Sequence, residues 1–366
     1  MRILVAMSGG VDSSVVAHLL KEQGHDLIGM MIKMWTDPLA PMSTRDNPKS
    51  CCSVEHIQRA RSVCEKLDIP FYVIDAEKEF KEKVVDPFLE SHEQGETPNP
   101  CIACNKNIKF GLFFKKAQEL GCDHIASGHY ARVAEERQAD GSLKYLLLEG
   151  IDPNKDQSYY LYTLTQEKLS KILFPLGGME KPDVYKLAAH FSITIPEHYR
   201  ETQDVCFYPE KKKEAFLNRY ITDIENGDIR TEDGEKVGSH EGLPFYTIGQ
   251  RKGLGIGGLK IPLHVSRKDP VTNTVYVAEN GADLGIEVIT KDLSWISWSP
   301  KESQKVNFLA KVHSSGEKNP GTLEYTGTSG IFHFENAHRG IAPGQAIVLY
   351  RDKKIIGGGT IAYPDI

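Results

Sequence analysis

No stretch of this sequence runs to about 18 consecutive apolar residues, so nothing in it calls for a membrane-spanning helix. Ahead of Ser8 stand one arginine and the short apolar run Ile3–Met7, too brief for a secretory leader, which predicts a cytoplasmic protein. A disulfide framework is also missing. Seven cysteines, at 51, 52, 64, 101, 104, 122 and 206, are an odd number in a long chain, and they read as buried fillers, metal ligands or reactive thiols. There is no basic excess: the net charge of −6 does not advertise nucleic-acid binding. Local basic faces remain open to that use, at Lys211–Lys213, Arg251-Lys252, Arg267-Lys268 and Lys353-Lys354. GxxxxGK[ST] and GxGxxG nucleotide loops are absent, as are internal repeats.

What is present is an alternation. Buried strands are expected at Ile3–Met7, Asp26–Ile32, Phe71–Ile74 and His124–Gly128, and helices at Asp12–Gln23, Val54–Leu67 and Ile108–Leu120. Short apolar strands alternating with helices predict an α/β fold with a doubly wound parallel sheet. Past Glu201 comes one short helix, "EAFLNRYI", and then a series of short β-like runs from "PFYTIGQRKGLGIGG" to "QAIVLYRDKKIIGGGTIA", which suggest an antiparallel barrel or sandwich, the barrel being the expected form. The expected domains are 1–204, a small linking module at 205–267, and a β-barrel at 268–366.

"AMSGGVDSS" leaves a strand and opens a helix. Gly9 and Gly10 allow a tight turn and close approach of a ligand, and the free N–H groups of the first helical turn favour an anion. Asp12 beside such a cradle suits Mg²⁺, which takes carboxylate and phosphate oxygens. The pattern SGGxDS resembles the pyrophosphate loop of the PP-loop ATPases, which cleave ATP between its α and β phosphates and transfer AMP to an oxygen.

"ETPNPCIACNKNIKFG" places Cys101 and Cys104 in a C-x-x-C, and Cys206 follows far along in "QDVCF". Three readings stand: a zinc knuckle completed by Cys51 and Cys52, persulfide chemistry resolved through a mixed disulfide, or an iron–sulfur cluster on Cys101, Cys104 and Cys206 with one iron open. The other thiols, Cys64 and Cys122, read as helix-side fillers, and the Cys51-Cys52 pair as packing at a helix start.

The order of "AMSGGVDSSV", "TPNPCIACNKNIKFG", "ASGHYARV", "NKDQSYYL", "FPLGG", "YTIGQRKGLGIGG" and "APGQAIVLY" resembles that of the tRNA-specific 2-thiouridylases, the MnmA/TrmU family, over essentially the whole chain. The resemblance implies a tRNA-uridine 2-sulfurtransferase acting on the wobble uridine of the anticodon loop, with ATP and Mg²⁺, fed by a sulfur-donor protein or cysteine desulfurase relay. It implies that Ala6, Met7, Ser8, Gly9, Gly10, Val11, Asp12 and Ser13 line the ATP phosphates, and that Ile32 and Gly128 meet the adenosine. Asn99, Pro100 and Cys101 would meet the target base. Cys104 would be the nucleophile and Cys206 the carrier of the persulfide. His129, Lys155, Asp156, Gln157, His313, Ser314 and Gln345 would contact tRNA, although "KVHSSG" lacks the basic and aromatic residues common at that place in the family.

Many members carry Asp where this chain has Cys101, which is what keeps the cluster reading open beside the persulfide route. Lys106 and Lys109, within a turn of Cys104, offer a field that would favour a thiolate. Two rivals share the loop but not the thiols: a small-molecule PP-loop synthetase that adenylates a carboxylate or ureido oxygen, and a nucleotide sensor without chemistry.

Overall fold

The computed structural model describes residues 1–41, 53–195, 205–210, 213–256, 262–279 and 285–363. The chain divides into two compact units. One comprises Met1–Val85, Pro100–Pro209 and Lys353–Ile356; the other comprises Asp86–Asn99, Glu210–Asp352 and Gly357–Ile366.

The first unit is built on a parallel sheet. Its strands are β1 (Arg2–Ala6), β2 (Asp26–Lys33), β3 (Phe71–Asp75), β4 (His124–Ala126) and β7 (Ile172–Leu173), in the order β3-β2-β1-β4-β7. Ile3 pairs with Leu27 on one side and His124 on the other, so β1 is central, and Ile3, Leu4 and Val5 are fully buried. Strands covered on both faces must be apolar throughout, which is why they read as continuous runs. Helix α1 (Val11–Glu22) turns Val11, Val15, Val16 and Leu20 inward. The helix Val54–Lys66 is capped by Ser53, whose side chain accepts from the His56 N–H, and it buries Ala60 and Cys64. Cys64 is the core filler its position predicts: burial pushes its thiol up to about 12. Cys122 is half-buried and shifted the same way, whereas Cys51 and Cys52 lie outside the described residues.

The expected helix at 108–120 differs in form. Asn105–Leu112 is wound as π-helix and only Phe113–Glu119 as α-helix. The expected strand at 124–128 stops at Ala126, releasing Ser127–His129 as loop. Also in this unit are the hairpin β5 (Ala131–Arg137)–β6 (Leu143–Glu149), against which Lys354 and Ile355 pair, and the helix Lys181–His190. These polar, alternating segments gave no clear periodic signal.

The second unit holds two β structures. β8 (Gly227–Thr231), β9 (Lys236–His240), β10 (His264–Asp269) and β11 (Thr274–Ala278) form a sheet in the order β10-β11-β8-β9 around Ile229, Val265, Val275 and Val277. The β-like run "PFYTIGQRKGLGIGG" is not a strand over its described part, 244–256. It leaves a 3₁₀ turn at Leu243–Phe245 and continues as loop, because Gly249, Gly253 and Gly255 all sit at positive φ and break any pleat. β12 (Gly285–Trp295), β13 (Lys305–Lys311), β14 (Asn319–Tyr325), β15 (Gly330–His338), β16 (Ala346–Arg351) and β17 (Lys354–Ile361) follow in the order β12-β15-β14-β13-β16-β17. Antiparallel pairing of β12 with β17 closes them into a six-stranded barrel, which removes the open edges. The α/β sheet followed by an antiparallel barrel is the fold class the sequence predicts.

Candidate functional site

In a parallel sheet of this kind, ligands bind beyond the carboxyl ends of the strands, where the strand order reverses. Here that point lies between β1 and β4, the strands that deliver Met7–Gly10 and Ser127–His129. Gly9 adopts φ +72°, and a Cβ on it would stand 2.2 Å from the carbonyl oxygen of His56. Only glycine fits both conditions. Gly10 is the N-cap of α1 and supplies no side chain, so the first-turn N–H groups are not capped internally. Hydroxyls shape the loop: Ser8 N–H donates to Ser13 Oγ at 3.1 Å, and Ser13 and Ser14 Oγ donate to the Gly10 carbonyl at 3.1 and 2.9 Å. Ala6, Met7 and Val11 are packing residues flanking the turn, and Ile32 is buried near the end of β2. A Cβ on Gly128 would come within 3.1 Å of Asp12 Cβ, so the second loop lies directly against the first.

Asp12 is tied in by two groups that the sequence reading did not single out. Lys181 Nζ donates to Asp12 Oδ1 at 2.7 Å and the Tyr130 hydroxyl donates to the same oxygen at 3.0 Å. Lys181 is only 6% exposed, with its ammonium over the rings of Tyr130 and Tyr185. A fixed cation thus stands next to the loop, available to a phosphate as well as to Asp12.

Cys104 ends the helix Pro100–Cys104, is buried, and starts the π-helical turn at Asn105–Leu112. Such turns recur at functional sites. Asn105 is buried, its Nδ2 donating to the Tyr160 carbonyl at 3.2 Å. Cys101, at the other end of the C-x-x-C, is exposed, yet the protein around it raises its thiol by desolvation, opposed by the charge of Lys109. His129 lies near that same lysine. Its Nδ1 pairs with Ser127 Oγ at 2.8 Å, its ring packs against Phe110 and Phe174, and burial, aided by Lys109, holds it neutral at physiological pH. Cys206 is half-buried, and its neighbour Phe207 packs on Trp35 and Phe80 while accepting from the Asp37 N–H at 3.1 Å. Phe80 leads into Lys81–Val85, the turn against which the Pro100–Cys104 helix packs. The consecutive helical turns Glu77–Phe80 and Lys81–Val85, together the 77–85 element, therefore support both the segment of Cys104 and that of Cys206.

Among the described residues no three Cys, His, Asp or Glu side chains are gathered closely enough to hold a metal ion. Cys101, Cys104 and Cys206 are thus not arranged as an iron–sulfur ligand set, and the zinc reading has no geometry to rest on, since Cys51 and Cys52 lie outside the described residues.

Several residues expected at RNA have tasks within the fold. Asp156 Oδ1 accepts from the Gly150 and Ser158 N–H groups, and Oδ2 from Ser158 Oγ at 2.9 Å. Burial, outweighing these bonds, raises its carboxyl above the usual range. Gln157 Oε1 accepts from the Tyr130 N–H at 3.1 Å, and the Lys155 N–H donates to the Asp152 carbonyl. In the second unit His313 is half-buried, with Ser314 next in chain, and burial lowers its pKa. Gln345 Nε2 donates to the Thr97 carbonyl at 2.8 Å, in the segment that ends at Asn99.

The sequence matches three family descriptions in succession: "tRNA methyl transferase HUP domain" over 1–210, "tRNA methyl transferase PRC-barrel domain" over 214–279, and "Aminomethyltransferase beta-barrel domain" over 286–361. It is 40% identical over 362 residues to a tRNA-specific 2-thiouridylase MnmA of Clostridioides difficile, covering 98% of each chain. A protein of the same name from Caldanaerobacter subterraneus is 41% identical, with 98% of this chain and 97% of the other covered. The one from Geobacter metallireducens is 40% identical over 369 residues, covering 98% of this chain and 96% of the other.

Proposed function

The chain belongs to the tRNA-specific 2-thiouridylase family, and from that premise we propose an ATP-dependent exchange of oxygen for sulfur at C2 of the wobble uridine of tRNA. The observation that carries it is the pairing, within one compact unit, of a bare α1 N-terminus at Gly10 with two cysteine segments braced on the same 77–85 element. The first feature serves nucleotidyl transfer and the second serves sulfur transfer. Methyl transfer, named in the family descriptions, would use neither.

The C2 carbonyl is a poor electrophile. Its oxygen attacks the α-phosphorus of ATP, pyrophosphate leaves, and the adenylated oxygen becomes a leaving group. Ser8–Ser13 and the α1 N-terminus would hold the phosphates, with Lys181 offsetting the charge that develops there. Mg²⁺ would travel with the phosphates, since no cage of three ligating side chains is gathered among the described residues and Asp12 is the carboxylate on the loop. The terminal sulfur of a persulfide on Cys206 attacks C2 and expels AMP, giving a base–S–S–Cys206 linkage. The Cys104 thiolate attacks Cys206 Sγ, releasing the 2-thio base and leaving a Cys104–Cys206 disulfide, which an external thiol reduces by two electrons. The buried position of Cys104 helps to keep water from the adenylate. No step runs through an iron–sulfur cluster.

Asn99, Pro100 and Cys101 are assigned to the target base, and His129, Lys155, His313 and Ser314 to the tRNA around it. Asp156 and Gln157 support that surface by holding the 150–158 loop. Persulfide sulfur would come from a cysteine desulfurase relay in the cytoplasm. No described helix is long and apolar enough to cross a membrane. Three functional modules are assigned, with the second boundary placed after β11 rather than at 267, since a break at 267 would cut β10 (His264–Asp269) out of its sheet. The test uses purified protein, ATP, Mg²⁺, a cysteine desulfurase with free cysteine as the persulfide donor, a thiol reductant and unmodified tRNA. Cys206→Ser and Cys104→Ser should each abolish 2-thiouridine by nucleoside mass spectrometry, while tRNA-dependent pyrophosphate release persists. AMP release indifferent to tRNA would favour a small-molecule synthetase instead.

A further inference from the structure

The segment before the C-x-x-C, Asp86–Asn99, belongs to the same compact unit as the barrel. Its end is held there at successive residues. The Tyr363 hydroxyl donates to the Gly95 carbonyl at 2.8 Å. Lys291 Nζ reaches Glu96 Oε1 at 3.0 Å, and Glu96 is only 7% exposed. The Thr97 N–H donates to the Pro343 carbonyl at 2.7 Å, and Gln345 Nε2 donates to the Thr97 carbonyl at 2.8 Å. Gly344, at φ +89°, permits this approach, since a Cβ there would stand 2.8 Å from the Thr97 nitrogen. Both backbone groups of Thr97 are therefore satisfied by the turn Pro343–Gln345.

We propose that Gln345, with Lys291 and Tyr363, is a positioning residue for Asn99, the first residue assigned to the target base and a member of the same compact unit: the barrel fixes Thr97, and Asn99 inherits that placement. Asn99 lies two positions beyond Thr97, a reach of at most about 7 Å. Pro98 and Pro100 lock their own φ and restrict the residues before them, so few torsions remain to dissipate a fixed anchor. One N–H of the Gln345 amide is committed to a backbone carbonyl of the protein, which leaves its second N–H and Oε1 for any contact with RNA. The inference rests on the thiolation reading for its catalytic meaning, but the latch itself is a property of the RNA-free protein.

The experiment compares full-length protein with Gln345→Leu, which keeps bulk and loses the donor, and Tyr363→Phe, which loses one hydroxyl. Hydrogen exchange of residues 95–104 is measured without RNA. Single-turnover thiolation at saturating tRNA and ATP is measured alongside tRNA Kd and the melting temperature. Loss of one hydrogen bond predicts about tenfold faster exchange and about tenfold slower saturated turnover, with Kd within about twofold. Weakened Kd with unchanged saturated rate and unchanged exchange would make Gln345 a direct RNA contact and overturn the proposal. Unchanged exchange in both variants would overturn it as well. If Gln345→Leu does not fold, Tyr363→Phe carries the same test. Absence of 2-thiouridine from the unsubstituted protein would defeat the functional reading, and the exchange result would still decide the latch.

Discussion

Lys181 lies 169 residues from Asp12 in the chain and 2.7 Å from it in space. In the sequence it reads only as the first residue of a proline-led helix, and that distance explains why the loop was legible and its cation was not. The glycines and hydroxyls of "SGGVDSS" act on their own backbone, so their meaning is local; Lys181 and Tyr130 acquire theirs from tertiary packing. Replacing Lys181 with Met leaves Asp12 its Tyr130 bond but removes the fixed charge beside the phosphates. AMP formation should fall about 10²-fold, the usual cost of removing one preorganised donor, with the melting temperature little changed. An AMP rate within threefold of the unsubstituted protein would show that Lys181 serves Asp12 alone. The cysteines divide in the same way. Cys104 and Cys206 were visible by resemblance, but that one element, 77–85, braces both of their segments follows from contacts of Phe80 and Lys81–Val85 that no spacing reveals.

At the scale of elements, β1, α1 and β2 were readable to within one or two residues because apolar runs and glycine punctuation coincide there. The π-wound turn at Asn105–Leu112 was not, since a segment of eight residues is too short for its apolar spacing to separate i→i+4 from i→i+5 winding. The 244–252 stretch was misread as strand, because aromatic and β-branched residues carry β propensity even where a glycine at positive φ, here Gly249, forbids a ladder; the glycines from Gly253 on mark a turn. The element on which most depends is the turn from β1 into α1. In Gly9→Ala the new methyl would meet the His56 carbonyl while the backbone keeps φ +72°, so the loop must move away from the helix Val54–Lys66. The expected result is a stability loss of about 1–3 kcal/mol and at least tenfold weaker ATP binding, read by denaturant titration and by calorimetry. Unaltered ATP affinity would mean that the loop backbone does not hold the phosphates.

Over the whole molecule, the second unit carries an unusual load of buried base. Lys268 Nζ donates to the Tyr246 carbonyl at 3.0 Å and Lys213 Nζ to Thr247 Oγ1 at 2.7 Å, so two ammonium groups fasten consecutive residues at the root of the 247–256 loop. Burial lowers Lys268 to about 7, with Lys213 adding to the shift and Glu96 opposing it, and burial lowers Lys213 to about 8. Both lysines also face His92, which burial and their charge keep neutral. In the unfolded chain these lysines return to about 10.4. Between pH 7 and 10 the unfolded state therefore binds more protons than the native one, and stability must rise with pH. Below pH 7 both states are protonated and the penalty of the buried charge is fully present. Thiols work in the opposite sense: Cys64, held up near 12, stabilises the fold less once unfolded cysteine ionises above about 8.5. The clean window is pH 7 to 8.5. Trp295 and Trp298 lie in the second unit and Trp35 in the first, so urea titrations followed by tryptophan emission in a Trp35→Phe background report on the second unit. The midpoint should climb across that window, and Lys268→Met should flatten the climb while raising the midpoint at pH 7. A midpoint that stays level or falls between pH 7 and 8.5 in the unsubstituted protein would mean that the two lysines reach solvent in the native state.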